Sequence, residues 1–348
     1  MNQVFRHIIS QSSKISEALH RMDALASDAT LFVVNEENSL IGSLTDGDIR
    51  RGLMKGYSLE VPVSKFANLK PKYLLKDEYT IDTVIELRKG NYLIIPILDN
   101  NNKIIKVINF KEIRSYLPID TVIMAGGMGQ RLLPLTLNIP KPLLKVGEKP
   151  IIEHNIDRLA NYGIDDFWIT IKYLGNKISE YLRDGSSKNI NIEYICENEP
   201  LGTIGAVSMI KNFKHETILL TNSDILTNLD YEDFYLDFIR HQADLSILTI
   251  PYKIDIPYAV LETSNNVVLS LKEKPTYTYF SNGGIYLIKK ECLNYLPKNT
   301  HFNATDLIEK LITINKKIIS YPLSGYWLDV GKHEDFEKAQ IDIKHIKF

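Results

Sequence analysis

Cysteine is nearly absent, with two residues, Cys196 and Cys292, in a chain of 348. Two thiols cannot build a disulfide framework, and free thiols fit a reducing compartment. No apolar run reaches the roughly 18 residues that cross a bilayer. Residues 1–10 lack the apolar core of a signal peptide, so the expected location is the cytoplasm, with no membrane partner. An excess of one charge is missing too. The 41 Lys and Arg against 43 Asp and Glu leave −2, which gives no bulk reason to expect nucleic acid as a partner. The eight histidines show no metal-ligand spacing such as His-x-x-x-His, so they read as surface or hydrogen-bonded core histidines. What remains is a globular composition, 44% hydrophobic and 24% charged, on a chain long enough for two domains.

Against that background one segment stands out. It is Met124-Ala125-Gly126-Gly127-Met128-Gly129-Gln130-Arg131-Leu132, followed by Pro140-Lys141-Pro142-Leu143-Leu144-Lys145. The apolar run at residues 120–124 reads as a buried strand that breaks into glycines. Without a Cβ there, backbone N–H groups can close around an anion. Arg131 and Lys141 add two cations, so the segment reads as a phosphate cradle for a nucleoside triphosphate. It is not a Walker A loop, because no lysine follows Gly129 in the required place. Nor is it a dinucleotide fingerprint, because Leu132 stands where the third glycine belongs.

The first 117 residues contain an internal repeat. The run Leu31-Phe32-Val33-Val34-Asn35-Glu36-Glu37-Asn38-Ser39-Leu40-Ile41 is echoed by Ile95-Pro96-Ile97-Leu98-Asp99-Asn100-Asn101-Asn102-Lys103-Ile104-Ile105. Each copy predicts a strand, a polar turn and a second strand. Helices are predicted before each copy (15–26 and 81–90) and after each (46–55 and 110–116). Units this short should pack against each other. With Gly42-Ser43-Leu44-Thr45-Asp46-Gly47-Asp48-Ile49, this half resembles a pair of cystathionine-β-synthase (CBS) motifs, a regulatory module that commonly binds adenine nucleotides. The resemblance implies phosphate contact by Thr45 and ribose contact by Asp48. The second copy carries Asn109 and Glu112 there, so at most one site is of the usual kind. A purely structural or dimerising pair is the alternative.

From Pro118 onward, strands and helices alternate. Helices are predicted at 150–162, 175–184 and 203–211, and strands at 167–171, 190–196, 217–221 and 245–251. The expected fold is α/β: a Rossmann-like mixed, mainly parallel sheet at 118–348, preceded by the CBS pair at 1–117. Ligands bind such sheets at the carboxyl ends of the strands, where the glycine loop lies.

Six ordered blocks give the second half a more specific likeness. They are the Gly126 loop, Pro140-Lys141-Pro142-Leu143, Glu197-Asn198-Glu199-Pro200-Leu201-Gly202-Thr203 and Thr221-Asn222-Ser223-Asp224. Then come Lys272-Glu273-Lys274-Pro275 with Asn282-Gly283-Gly284-Ile285-Tyr286, and Trp327-Leu328-Asp329-Val330-Gly331. Residues 120–339 thereby resemble the sugar-phosphate nucleotidyltransferases, or nucleoside-diphosphate-sugar pyrophosphorylases. The resemblance implies attack by a sugar 1-phosphate oxygen on the α-phosphorus of an NTP, with pyrophosphate leaving. It assigns Arg131 and Lys141 to catalysis. Ala125, Gly126, Gly127, Gly129, Glu197, Gly202 and Thr203 fall to the nucleotide, and Glu273, Lys274 and Asn282 to the sugar phosphate. Asp224 and Asp329 form the implied Mg²⁺ pair.

Glu197 stands where thymidylyl relatives carry a base-contacting Gln. A carboxylate accepts the paired N1–H and 2-amino donors of guanine, whereas uracil and thymine present one N–H flanked by carbonyls. Guanine is therefore favoured. Tyr277-Thr278-Tyr279-Phe280 reads as packing rather than a stacking platform. Ala259 replaces a glycine common in relatives, while Gln130, Leu133 and Ile204 are further departures. None removes a phosphate ligand or a metal carboxylate.

The combination of both halves resembles bacterial glucosamine-1-phosphate guanylyltransferases of legionaminic acid-type pathways, which supply nucleotide sugars for cell-surface polysaccharide. Mannose or heptose 1-phosphate are alternative substrates, and uridylyl or thymidylyl transfer is an alternative reaction. The rival of another class is a catalytically silent, nucleotide-sensing subunit, which should have lost Arg131, Lys141, Asp224 or Asp329. A chain ending soon after Ala339 leaves no room for an appended acyltransferase β-helix. A homodimer or higher homo-oligomer is expected of a paired-motif module.

Overall fold

A computed structural model describes residues 3–76 and 78–346. The chain divides into two compact units, Met1–Tyr116 and Leu117–Phe348.

The first unit is a structural repeat. Its first copy comprises α1 (Gln3–Arg6), β1 (Ile8–Ser10), α2 (Ile15–Leu25), β2 (Thr30–Val34), β3 (Leu40–Thr45) and α3 (Asp46–Met54). Its second comprises β4 (Leu74–Leu75), α4 (Ile81–Lys89), β5 (Ile94–Leu98) and β6 (Ile104–Asn109). Each copy builds a three-stranded sheet in which a parallel pair precedes an antiparallel hairpin. The echoed turns close identically. Asn35 Oδ1 accepts the N–H groups of Glu37 and Ser39 at 3.0 and 2.9 Å, and Asp99 Oδ1 accepts those of Asn101 and Lys103 at 2.9 Å. Asn38 and Asn102 take the left-handed conformation that Asn tolerates best after Gly. The two copies share apolar packing through Phe32, Ile94 and Val107.

The helix expected at 110–116 does not form. The N–H groups of Glu112 and Ile113 both bond to Asn109 O, which makes one turn. The Asn109 side chain is bound to the Lys111 N–H and to Asp28 Oδ2. Side-chain bonding of this kind competes with helix propagation, and Pro118 restricts the residue before it.

The second unit holds a seven-stranded mixed sheet. In chain order its strands and companions are β7 (Ile119–Ala125), the short pair β8 (Lys145–Val146) and β9 (Lys149–Pro150), β10 (Asp166–Ile171), β11 (Asn191–Cys196), β12 (Thr217–Asn222) and β13 (Ile225–Thr227). Then come β14 (Leu245–Asp255), β15 (Val260–Ser264), β16 (Val267–Lys272), β17 (Thr276–Lys289), β18 (Ile318–Pro322) and β19 (Trp327–Asp329). The sheet order is β11-β10-β7-β12-β17-β14-β18. The first four strands are mutually parallel, and β17 enters antiparallel between β12 and β14. Strand β10 is buried along its whole length, as a run covered on both faces must be. Helices α5 (Ile151–Ala160), α6 (Gly175–Leu182), α7 (Tyr231–Arg240), α8 (Ala304–Thr313) and α9 (His333–Asp342) complete the unit. The segment expected as a helix at 203–211 is a 3-10 turn, Gly205–Met209. A Cβ at Gly205 would lie 2.5 Å from Thr300 O, so the chain passes too close there for a regular helix surface.

Candidate functional site

All four parallel strands release their loops at one edge. Strand β7 runs into Gly126, β10 into Lys172, β11 into Glu197 and β12 into Asp224. The carboxyl ends of parallel strands form the crevice where α/β sheets bind ligands. The loops are locked to one another by backbone bonds, Glu197 N–H to Ile171 O at 3.0 Å and Ser223 N–H to Met124 O at 3.2 Å.

Asp224 and Asp329 lie far apart in sequence, and β13 and β19 bring them together. These strands pair antiparallel, with Ile225 opposite Asp329 and Thr227 opposite Trp327. The Val330 N–H closes onto Asp224 O at 3.0 Å. Lys141 is buried (9% exposed) and its ammonium reaches both carboxylates. It bonds to Asp224 Oδ2 and lies 3.9 Å from Asp329 Oδ1. Arg131 joins from the glycine loop, because a Cβ at Gly331 would lie 3.3 Å from its Nη2 and 3.5 Å from Asp329 Oδ1. Gly129 has φ +63° and presses on Thr136 and Lys141, a position that excludes a side chain. Arg131, Lys141, Asp224 and Asp329 thus converge.

Burial and the neighbouring Asp224 charge push the Asp329 carboxyl above its ordinary range, against the pull of Lys141 and Arg131. Asp224 Oδ1 and Asp329 Oδ1 are both buried and accept no hydrogen bond. Two adjacent carboxylates, each with an orphaned buried oxygen, make a donor set that fits a hard divalent cation.

Glu197 is folded against the glycine loop: a Cβ at Gly126 would lie 2.8 Å from its Oε1. Its Oε2 accepts the Leu201 N–H at 3.2 Å. Burial raises its carboxyl above the usual range, opposed by that hydrogen bond and by Lys172. Lys172 was missed in the sequence, although it follows the apolar run of β10 just as Asp224 follows β12. Asn155 was missed as well. It is buried on α5 and donates to Ser223 O at 3.2 Å, bracing the loop that carries Asp224. No motif marks it, since only tertiary packing brings α5 to that loop.

The remaining positions expected to meet the nucleotide are spread along the same edge. Ala125 is buried at the end of β7, and Gly127 is exposed with open space where a Cβ would stand. Gly202 has φ +76°, and a Cβ there would lie 2.6 Å from Phe302 O. Thr203 accepts the Ala304 N–H at 2.8 Å, which ties this loop to the start of α8. Asn282 Oδ1 accepts the Gly284 N–H at 2.9 Å, and Trp327 Nε1 donates to Gly283 O at 2.9 Å, next to the β13–β19 pair. Glu273 and Lys274 are exposed in the turn between β16 and β17. Tyr279 and Phe280 are also exposed, against the expectation that they pack. They lie beyond the part of β17 that the sheet covers.

In the first unit, Thr45 and Asp48 cap α3 reciprocally. The Thr45 hydroxyl donates to Asp48 Oδ2 at 2.6 Å, and Arg51 pairs with Asp48 Oδ1 at 2.6 Å. Both residues line a cavity of about 550 Å³ that Arg51, Lys72 and Lys111 also reach.

A second group of potential metal donors, Asp120, Asp166 and His215, has ligand atoms within 4.8 Å of one another, an arrangement compatible with a divalent cation. It sits at the amino ends of β7 and β10 and just before β12, the edge opposite the glycine loop. The protein's own groups serve much of it, while Asp120 Oδ1 is buried and accepts no hydrogen bond. Asp120 Oδ2 accepts the N–H groups of Lys214 and His215 at 2.6 and 2.9 Å, and the Lys214 ammonium pairs with Asp166.

Comparison with known proteins shows the family. Residues 120–345 match the nucleotidyl transferase family, and the chain belongs to it. Residues 7–55 match the CBS domain. Mannose-1-phosphate guanyltransferase of Schizosaccharomyces pombe is 30% identical over 62% of this chain and 61% of its own length. D-glycero-alpha-D-manno-heptose 1-phosphate guanylyltransferase of Aneurinibacillus thermoaerophilus is 28% identical over 65% of this chain and 99% of its own length. The crystal structure of HddC from Yersinia pseudotuberculosis superposes with TM-score 0.51 at 28% identity, covering 64% of this chain and 98% of that one. The chain spans about half the length of archaeal relatives named bifunctional protein GlmU, such as that of Methanocaldococcus jannaschii (53%). The likeness is to sugar nucleotidyltransferases generally, and the relatives named here do not tie the chain to a legionaminic acid pathway. Among the described residues, no helix is long and apolar enough to cross a membrane.

Proposed function

We propose that this nucleotidyl transferase is a GTP:sugar-1-phosphate guanylyltransferase that makes a GDP-sugar and pyrophosphate. The observation that carries the proposal is the convergence of Arg131, Lys141, Asp224 and Asp329 at the mouth of the parallel strands, with Glu197 folded against the same glycine loop. The sugar phosphate is already an anion and needs no general base. The protein's task is to bring two highly negative substrates in line and to neutralise charge as it moves onto pyrophosphate.

Arg131 binds the triphosphate and meets the charge of the departing pyrophosphate. Lys141 turns from Asp224 toward the α-phosphate, with the Gly126, Gly127 and Gly129 backbone closing behind it. Asp224 and Asp329 hold Mg²⁺, whose charge neutralises triphosphate oxygens when bound. Glu197 reads the two guanine donors, and Gly202 and Thr203 continue that wall. On the acceptor side, Glu273, Lys274 and Asn282 take the sugar phosphate.

Glucosamine 1-phosphate is the substrate we favour from the joined halves. A manno-configured 1-phosphate is the second reading, supported by the guanylyltransferase relatives. In the first unit, the cavity at Thr45 and Asp48 takes an adenine nucleotide, its phosphate facing the cations of Arg51, Lys72 and Lys111.

The test is pyrophosphate release with Mg²⁺, crossing five NTPs against glucosamine, mannose and heptose 1-phosphates. Turnover confined to GTP supports the assignment. Turnover with UTP or dTTP overturns the base reading and keeps the reaction class. Silence with nucleotide still bound removes the reaction itself.

A further inference from the structure

Strands β14 and β17 change character halfway. Residues 245–249 of β14 are covered and flanked by β17 and β18, but the last five residues of the strand are exposed. The matching first seven residues of β17 are almost all exposed. From Pro251 opposite Phe280 outward, the two strands run on as a ribbon that ends in the β15–β16 hairpin. Residues 250–281 therefore form an arm projecting from the sheet.

The arm is apolar where a solvated ribbon should be polar. Ten large hydrophobic side chains stand exposed between residues 252 and 280, among them Tyr258 at 76%, Leu269 at 67% and Tyr252 at 63%. Their placement makes faces rather than scatter. Tyr252 lies opposite Tyr279, with Ile254 two residues on along the same face. Leu261 lies opposite Leu271 in the hairpin, with Leu269 at its bulge. At roughly 100 Å² each, the six side chains on these faces (Tyr252, Ile254, Tyr279, Leu261, Leu269 and Leu271) expose on the order of 600 Å² of apolar surface. That reaches the upper end of the ~300–600 Å² patch of an ordinary monomer and approaches the ~800 Å² per partner of a stable interface.

The charges on the arm favour a like partner. Glu262 pairs with Lys272 at 3.0 Å and also accepts the Ser270 hydroxyl, while Asp255 accepts the Thr276 hydroxyl at 2.6 Å. The arm carries both signs in equal number, Asp255, Glu262 and Glu273 against Lys253, Lys272 and Lys274, so a copy turned about a two-fold axis can bring opposite charges together. The hairpin also has no third strand among the described residues, so both its edges are open to pairing.

We propose that residues 250–281 are the dimerisation arm of this protein, packing against the same arm of a second copy. Because Glu273 and Lys274 sit in the arm, the seam would also fix the acceptor side of the site; that corollary rests on the reading given under Proposed function.

The test is the solution mass of the full chain by light scattering at micromolar concentration, which needs no activity. The wild type is expected at an even multiple of 39.9 kDa. Leu269→Glu and Tyr252→Glu, both at exposed side chains, are expected to halve that mass with an unchanged far-ultraviolet dichroism spectrum. Met54→Glu, at a still more exposed apolar position in the first unit, is expected to keep it. A single-chain mass for the wild type would overturn the proposal, as would full mass retained in both arm variants. Dissociation by Met54→Glu alone would overturn it in favour of the first unit.

Discussion

At the scale of single residues, the site is a balance of charges that the substrates must rearrange. The Lys141 ammonium sits on the two carboxylates that fit a cation, so lysine and metal compete for the same oxygens. Lys141→Met should therefore cut turnover, yet tighten Mn²⁺ binding by roughly tenfold or more, the effect of removing one charge a few ångströms away. Titration with Mn²⁺ followed by paramagnetic resonance reads this, and weaker binding would contradict it. Asp224→Asn should cost about a hundredfold in turnover, as for other lost transition-state charge partners. Steady-state pyrophosphate release checks this, and near-normal Mg²⁺-dependent turnover would remove the metal assignment. Glu197→Gln exchanges two acceptors for an acceptor and a donor. It should lower kcat/KM for GTP by about 10- to 100-fold and narrow the gap to UTP. Since burial raises the Glu197 carboxyl, GTP affinity in the wild type should also start to fall on acidification sooner than an ordinary glutamate would dictate.

At the scale of elements, strands and turns were legible because their signals are local. The Asn35 and Asp99 turns closed as their sequence echo implied, and the four parallel strands follow runs of apolar residues. The segments misread, 110–116 and 203–211, failed where a side chain or a close backbone approach intervened, and neither leaves a periodic signature. The pairing of β13 with β19, which joins Asp224 to Asp329, was reachable only through resemblance, because three-residue strands carry no pattern of their own. Nor did the sequence mark the base of the sheet, where Asp120 is buried at the start of β7. Burial lifts its pKa from 3.8 to about 6; the Lys214 and His215 N–H groups and the Lys214 charge lower it, while Asp166 raises it. The folded state thus holds this proton more tightly than the unfolded chain does. Its contribution to stability is greatest below pH 4 and is lost as pH rises through about 6, by up to about 3 kcal/mol. Asp120→Asn should be more stable than the wild type at pH 8 and should lose that advantage at pH 4. Denaturant melts at the two pH values check the sign.

For the whole molecule, two units with separate chemistry imply two separable ligand responses. AMP carries no pyrophosphate to release, so it probes the first unit without serving as a substrate. Calorimetry of the full chain should detect AMP binding that Lys72→Met weakens by about tenfold, the worth of one charge-assisted contact. Heat unchanged by that substitution would take Lys72 out of the nucleotide site. The central claim, guanylyl transfer to a sugar 1-phosphate, concerns which bond of the triphosphate breaks. Phosphorus NMR of the protein with GTP, Mg²⁺ and a sugar 1-phosphate reads that bond directly. The account predicts that GDP-sugar and pyrophosphate signals grow in equal amounts as GTP and sugar phosphate disappear. GDP with inorganic phosphate, or an unchanged spectrum, would contradict it.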